Sequence, residues 1–173
     1  AGTFYPGSPD TVRTAIRRAF ADAVTPAEDA VVPKALVVPH AGYVYSGAIA
    51  ASAYASLIPA RSTIRRVVLL GPSHRASVRG LAAPGVDAFL TPLGAVPIDT
   101  SGRDLALEQP GVHVDDRAHA DEHSLEVQLP FLQSVLDDFT LLPFSVGDAT
   151  PGEVANVLEA CWGGPETLVV IST

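Results

Sequence analysis

What this chain has little of narrows it first. Among its 173 residues there is no methionine, one cysteine, one tryptophan and one lysine. A lone cysteine, Cys161, excludes an internal disulfide framework and agrees with a reducing compartment. Positive charge is scarce: 11 basic residues stand against 19 acidic ones, and no basic cluster is longer than the pairs Arg17-Arg18 and Arg65-Arg66. Such a chain has no electrostatic footprint for nucleic acid or for an anionic membrane surface. No apolar run approaches the roughly 20 residues of a membrane span, and no basic-then-apolar leader opens the sequence. The reading is a cytoplasmic protein with no nucleic-acid or membrane partner.

The length suits a single domain over residues 1–173 with one sizeable core. Missing methionine implies that the initiator is not included, and the last residues, Leu168-Val169-Val170-Ile171-Ser172-Thr173, have the look of a core strand. Both ends are therefore expected to be incomplete. Arginine in place of lysine, with abundant Ala, Gly and Pro, points to a GC-rich bacterial source.

What is present is organised around two apolar runs that end in proline and histidine. Ala35-Leu36-Val37-Val38-Pro39-His40 and Val67-Val68-Leu69-Leu70-Gly71-Pro72-Ser73-His74 are short, Val/Leu-rich and bounded by Gly and Pro, as buried strands are. Between them Ser46 to Leu57 is alanine-rich and suits a helix, with Ser46 as its cap. Strand, helix, strand is a βαβ unit, so the two strands are expected to be parallel and adjacent. His40 and His74 then leave the same carboxyl edge, where open α/β sheets hold their ligands. A helix starting just past His40 would also favour an anionic ligand there.

Elsewhere, Asp10 is placed to cap a surface helix carrying Val12, Ile16 and Phe20, and Thr25 to Asp29 is a polar loop. Gly80 to Asp99 is proline-broken and reads as a hairpin or edge excursion, followed by a short helix over Ser101 to Glu108 and a brief strand over Val112 to Asp115. Leu125, Leu129, Leu132 and Leu136 share a helical stripe, with Pro130 kinking or splitting that helix. Phe139 to Val146 is a strand, Thr150-Pro151-Gly152-Glu153 a capping box opening a helix to about Cys161, and the last strand follows. Strands alternating with helices predict a three-layer α/β/α fold on a mostly parallel sheet.

Two imidazoles on one rim can bind one metal ion, and neutral imidazole suits iron, zinc, copper and nickel alike. His123, with Asp121, Glu122 and Glu126 around it, is the third member, since neighbouring carboxylates tune an imidazole toward proton transfer. A capping histidine in a solvated acidic turn is the competing account of His123. His113 and His119 have no comparable setting and are expected to be exposed. His119-Ala120-Asp121-Glu122-His123 matches the H-x-x-E-H pattern of inverted zinc proteases, which requires one regular helix, and the pattern precedes the expected helix. Cys161 beside Trp162 reads as core, and Ser46 and Ser73 lack the G-x-S-x-G elbow of a hydrolase.

Four blocks taken together, Phe4-Tyr5-Pro6, Pro39 to Gly47, Gly71 to His74 and Asp121 to Phe131, resemble the Memo family, whose bacterial and archaeal members are called AmmeMemoRadiSam system protein B. The resemblance implies a fold similar to the catalytic subunit of class III extradiol dioxygenases, in which two histidines and a carboxylate hold Fe(II) and another histidine is the acid/base. By motif, His40 and His74 fall at the metal ligands and His123 at the acid/base. Tyr43, Ser73, Glu122 and Glu126 fall in the substrate-binding or supporting positions. The family's third ligand comes from a later part of the chain, and Cys161 is not its equivalent. The expectation is one mononuclear ion, Fe(II) favoured with copper or zinc as alternatives, in a dioxygenase-like oxidoreductase acting on a small molecule. A non-catalytic module binding a peptide or partner in the same cleft is the second reading, and a zinc hydrolase the third. The group's name further implies association with an AMMECR1-like protein and a radical-SAM enzyme.

Overall fold

The computed structural model describes residues 1–27 and 30–173. It contains six α-helices and eight strands: α1 (Pro9–Ala21), β1 (Ala35–Val38), α2 (Tyr43–Ala55), β2 (Arg66–Pro72), β3 (Leu81–Ala83), β4 (Ala88–Thr91), β5 (Gly94–Pro97), α3 (Thr100–Leu107), β6 (Val112–Val114), α4 (Arg117–Ala120), α5 (Leu129–Val135), β7 (Thr140–Val146), α6 (Pro151–Cys161) and β8 (Thr167–Ser172). Six strands form one sheet in the order β1-β8-β2-β7-β3-β6, and β4 and β5 pair separately as a hairpin. All neighbours in the large sheet are parallel except β3 and β7. The fold is α/β with a mostly parallel central sheet, as the alternation of patterns predicts.

Period-two alternation on the central strands decides which layer each residue enters. Val67 and Leu69 of β2, with Leu36 and Val38 of β1 and Leu168 and Val170 of β8, join the core beneath α1, α2 and α5. Val68 and Leu70, with Leu142, Phe144 and Val169, face the other way onto α3 and α6 through Ala106, Val157 and Cys161. Cys161 is thus core, and burial raises its thiol pKa. Burying each such Val or Leu is worth about 1.5–3 kcal/mol.

The local expectations fare unevenly. Thr150 and Glu153 form the reciprocal capping box of α6, and Pro130 sits in the first turn of α5, separating it from the short 3-10 turn Glu126–Gln128. Two caps differ. Helix α1 begins at Pro9 with Ser8 as cap, because Ser8 Oγ accepts from the Thr11 amide where the Asp10 carboxylate would lie two residues too late. Helix α2 begins three residues before the predicted Ser46, at Tyr43. Gly42 is its cap, and Ser46 is buried in the first turn, donating to the Ala41 carbonyl. The amide of Tyr43 is spent on the Phe4 carbonyl and those of Tyr45 and Ser46 on Gly42, so this helix start offers less to an anion than expected. Of the predicted loop Thr25 to Asp29, residues 25–27 lie outside helix and strand, and Glu28 and Asp29 lie outside the described residues.

One topological expectation is corrected. Strands β1 and β2 are parallel but not adjacent, because β8 lies between them and pairs with both. The apolar C-terminal run outcompetes a direct β1-β2 pairing by burying both of its faces. Among the described residues, no helix is long and apolar enough to cross a membrane.

Candidate metal centre

Each histidine of the site is delivered by a different piece of backbone. His40 extends the β1-β8 ladder by one rung, its amide donating to the Thr173 carbonyl. His74 lies two residues past β2 in a turn fixed by Ser73, whose amide donates to the Val146 carbonyl and whose hydroxyl donates to the Ala76 carbonyl. His123 comes from the turn after α4, held to the sheet by its neighbour Ser124, whose hydroxyl donates to the Pro72 carbonyl. The three rings converge, with centroids 5.1 Å apart for His40 and His74, 5.6 Å for His40 and His123, and 5.0 Å for His74 and His123.

Hydrogen bonds fix the tautomers of two rings. Glu122 can only accept, so the 2.9 Å contact from His74 Nδ1 to its carboxylate puts the proton on Nδ1 and leaves the Nε2 lone pair free. For His40 the partner is Ser172 Oγ, 3.1 Å from Nδ1. That hydroxyl donates its one hydrogen to the Ser124 carbonyl and accepts from Gln128 Nε2. It can therefore only accept from His40, which again leaves Nε2 free. His123 is set differently: its ring stacks on Phe4 at 3.9 Å and 3°, and its Nδ1 is buried without a hydrogen-bond partner.

Burial favours the neutral form of two of these rings, His40 and His123. Burial lowers the His40 pKa, and the neighbouring His74 and His123 lower it further. Burial also lowers that of His123, against the opposing pull of Glu122. Burial by itself would raise the Glu122 carboxyl, but hydrogen bonds from the His74 amide and ring and from Ser124 outweigh it and bring its pKa down to about 2. A buried anion thus stands behind the histidines and orients His74.

The donor set fits a cation. One ring nitrogen from each of His40, His74 and His123 lies within 4.8 Å of the others. Nitrogens bound at about 2.1 Å to one ion stand no more than about 4.2 Å apart, so small ring movements suffice to bring them into range. Beside His123 opens a cleft of about 930 Å³, with Phe4, Arg75, Phe89, Leu90, His119 and Glu126 among its walls.

The other predicted residues support the site from behind. Tyr43 is packed against Tyr5 and Phe131 and spends its hydroxyl on the Val127 carbonyl, steadying the turn that carries His123. Ser73 shapes the His74 turn. Glu126 lines the cleft and accepts from the Tyr5 hydroxyl at 2.6 Å. His113 is exposed as expected, whereas His119 is not: it is half-buried, its Nε2 on the Ala82 carbonyl and its Nδ1 enclosed without a partner. Helix α4 stops at Ala120, so the H-x-x-E-H residues do not share a helix, and Glu122 is already engaged by His74. Three contributors escaped the sequence reading: Ser172, Gln128 and the ring of Phe4. The only signal was weak, a serine ending an apolar strand and an aromatic pair free to pack.

The comparisons with known proteins place the chain in a family. Residues 1–173 match the family described as Memo-like protein. The chain belongs to the Memo family. It is 41% identical over 148 residues to a MEMO1 family protein of Aquifex aeolicus (strain VF5), covering 84% of this chain and 52% of the relative. It is 42% identical over 160 residues to one of Archaeoglobus fulgidus, covering 90% and 57%, and 40% identical over 154 residues to one of Methanopyrus kandleri, covering 83% and 53%. The chain thus spans little more than half the length of these Memo relatives. They include archaeal proteins, so membership does not by itself give the bacterial source that the composition suggested.

Proposed function

We propose that this Memo-family chain carries a mononuclear metal site of an oxidoreductase, with His40 and His74 as ligands through Nε2, His123 as the acid/base, and Fe(II) as the favoured ion ahead of copper or zinc. The observation that carries the reading is the convergence of three imidazoles, two of them with Nδ1 protonated and Nε2 presented. Bound there, such an ion supplies Lewis acidity and one-electron chemistry to an ortho-diol substrate and dioxygen. The chain's own residues do the rest. Glu122 and Ser172 hold the ligand rings in the metal-binding tautomer. His123, neutral near pH 7 because burial lowers its pKa, takes the proton of a substrate hydroxyl and can return it. The stacked Phe4 holds that ring at the mouth of the cleft, where a planar substrate has room.

The test is anaerobic Fe(II) titration of the full-length protein followed by oxygen uptake with catechols. About one equivalent is expected to bind and to be lost in His40→Ala and His74→Ala, whereas His123→Gln retains metal and loses uptake. Unchanged binding in both ligand variants overturns the site. A second reading, a binding module for a peptide or partner, is favoured by the breadth of the cleft, and a metal-loaded protein with no oxygen uptake would support it.

A further inference from the structure

Leu90 is an apolar side chain left in water, 78% exposed on the wall of the cleft beside His123. It belongs to β4, whose hairpin with β5 is a sheet of its own. Phe89, its neighbour, lines the same cleft and rests on the core beneath. Between this hairpin and His123 lies the ring of His119, 5.6 Å from that of Phe89. His119 is polar by composition but not in what it shows. Its Nε2 donates to the Ala82 carbonyl, which leaves the lone pair on Nδ1, and Nδ1 is shut away from solvent without a partner. What His119 turns to the cleft is therefore carbon, and burial lowers its pKa so that it is uncharged near neutral pH. With Phe4 stacked on His123 itself, an apolar strip runs from the acid/base histidine out to the hairpin.

Size and charge narrow what lies along that strip. A cleft of about 930 Å³ is at the upper end of the roughly 300–1,000 Å³ that hold drug-sized ligands, so a single-ring diol at the histidines leaves most of it empty. The charged walls are Arg75 against Asp121, Glu122 and Glu126. Even with Glu126 paired to the Ala1 ammonium, two carboxylates stand against one guanidinium, which opposes an anionic substituent. An uncharged aryl group meets no such repulsion and takes the exposed surface of Leu90 out of water.

We propose that the substrate is an ortho-diol bearing an uncharged aryl substituent, which lies along Phe89 and Leu90, with Leu90 as the residue that selects it. The diol rests on the function proposed above, and the aryl subsite on the walls of the cleft alone.

Calorimetric binding to the full-length protein, loaded with Fe(II) and kept anaerobic, tests this with catechol, phenylcatechol and protocatechuate, the carboxylated diol. Phenylcatechol is expected to bind at least about 10-fold more tightly than catechol, and protocatechuate no more tightly than catechol. Leu90→Asp is expected to remove most of the phenylcatechol preference and Leu90→Phe to keep it. Equal binding of phenylcatechol and catechol overturns the proposal, as does a preference that survives in Leu90→Asp or a preference for protocatechuate. The same comparison of para-phenylphenol with phenol, on metal-free protein, separates the subsite from the diol. A preference there that Leu90→Asp removes upholds the aryl subsite even if no diol is oxidised, the result that sinks the oxidoreductase. If Leu90→Asp fails to fold, Leu90→Thr, which suits a strand, takes its place.

Discussion

Ser172 shows how a single hydroxyl can govern a site it does not enter. Its hydrogen goes to the Ser124 carbonyl at 2.6 Å, so its lone pairs are what His40 and Gln128 bond. Ser172→Ala is expected to release the His40 ring from one tautomer and weaken metal binding by about 10–100-fold, the usual cost of losing such a supporting contact. Metal titration of the variant beside His40→Ala checks this; an affinity equal to that of the unaltered chain would mean that His40 is oriented by something else. Glu122 serves His74 in the same way, with four donors on one carboxylate: the amides of His74, His123 and Ser124 and the His74 ring. The histidines themselves were legible in the sequence because each follows a recognisable strand or stands in an acidic turn. Their partners were not, since a hydrogen bond spanning 132 positions, as between His40 and Ser172, leaves no local pattern.

At the scale of elements, the critical join is the end of β2 against the turn that carries His123. Gly71 sits where a Cβ would lie 2.8 Å from Ser124 Oγ and 2.9 Å from Leu125 Cδ2. Glycine is required there for close approach and not for an unusual backbone angle. Gly71→Ala is expected to push the 122–125 turn outward and to destabilise the fold by about 1–3 kcal/mol, as overpacking does. Urea midpoints measure the stability loss, and oxygen uptake by the metal-loaded variant is expected to fall because His123 moves with the turn. Element types were largely readable from periodicity, including the α6 capping box and the division at Pro130. The start of α2 was misplaced because Ser46 has the side chain of a cap yet turns inward to the Ala41 carbonyl, while Gly42, with no side chain to cap anything, holds the position.

Across the whole molecule, the three histidines draw together the ends of β1 and β2 and the turn after α4, and an ion held by His40 and His74 would join segments far apart in the chain. Binding that favours only the folded state stabilises it by about 2.7 kcal/mol at a free metal concentration 100 times Kd. Melting of the full-length protein with Fe(II) or Zn(II), against the chelated protein, is expected to show that gain, and His40→Ala and His74→Ala are expected to abolish it. A gain that survives in both variants would place the stabilising ion elsewhere. By itself, the sequence determined the alternation of strands and helices, the α/β class and the two Pro-His strand endings, because hydrophobic period and turn residues act over a few neighbours. Only the tertiary structure decided that β8 enters between β1 and β2, that Ser172 thereby reaches His40, and that His119 turns inward onto Ala82. Those outcomes depend on which distant apolar surfaces bury each other best, a competition among whole strands that no local stretch of sequence records.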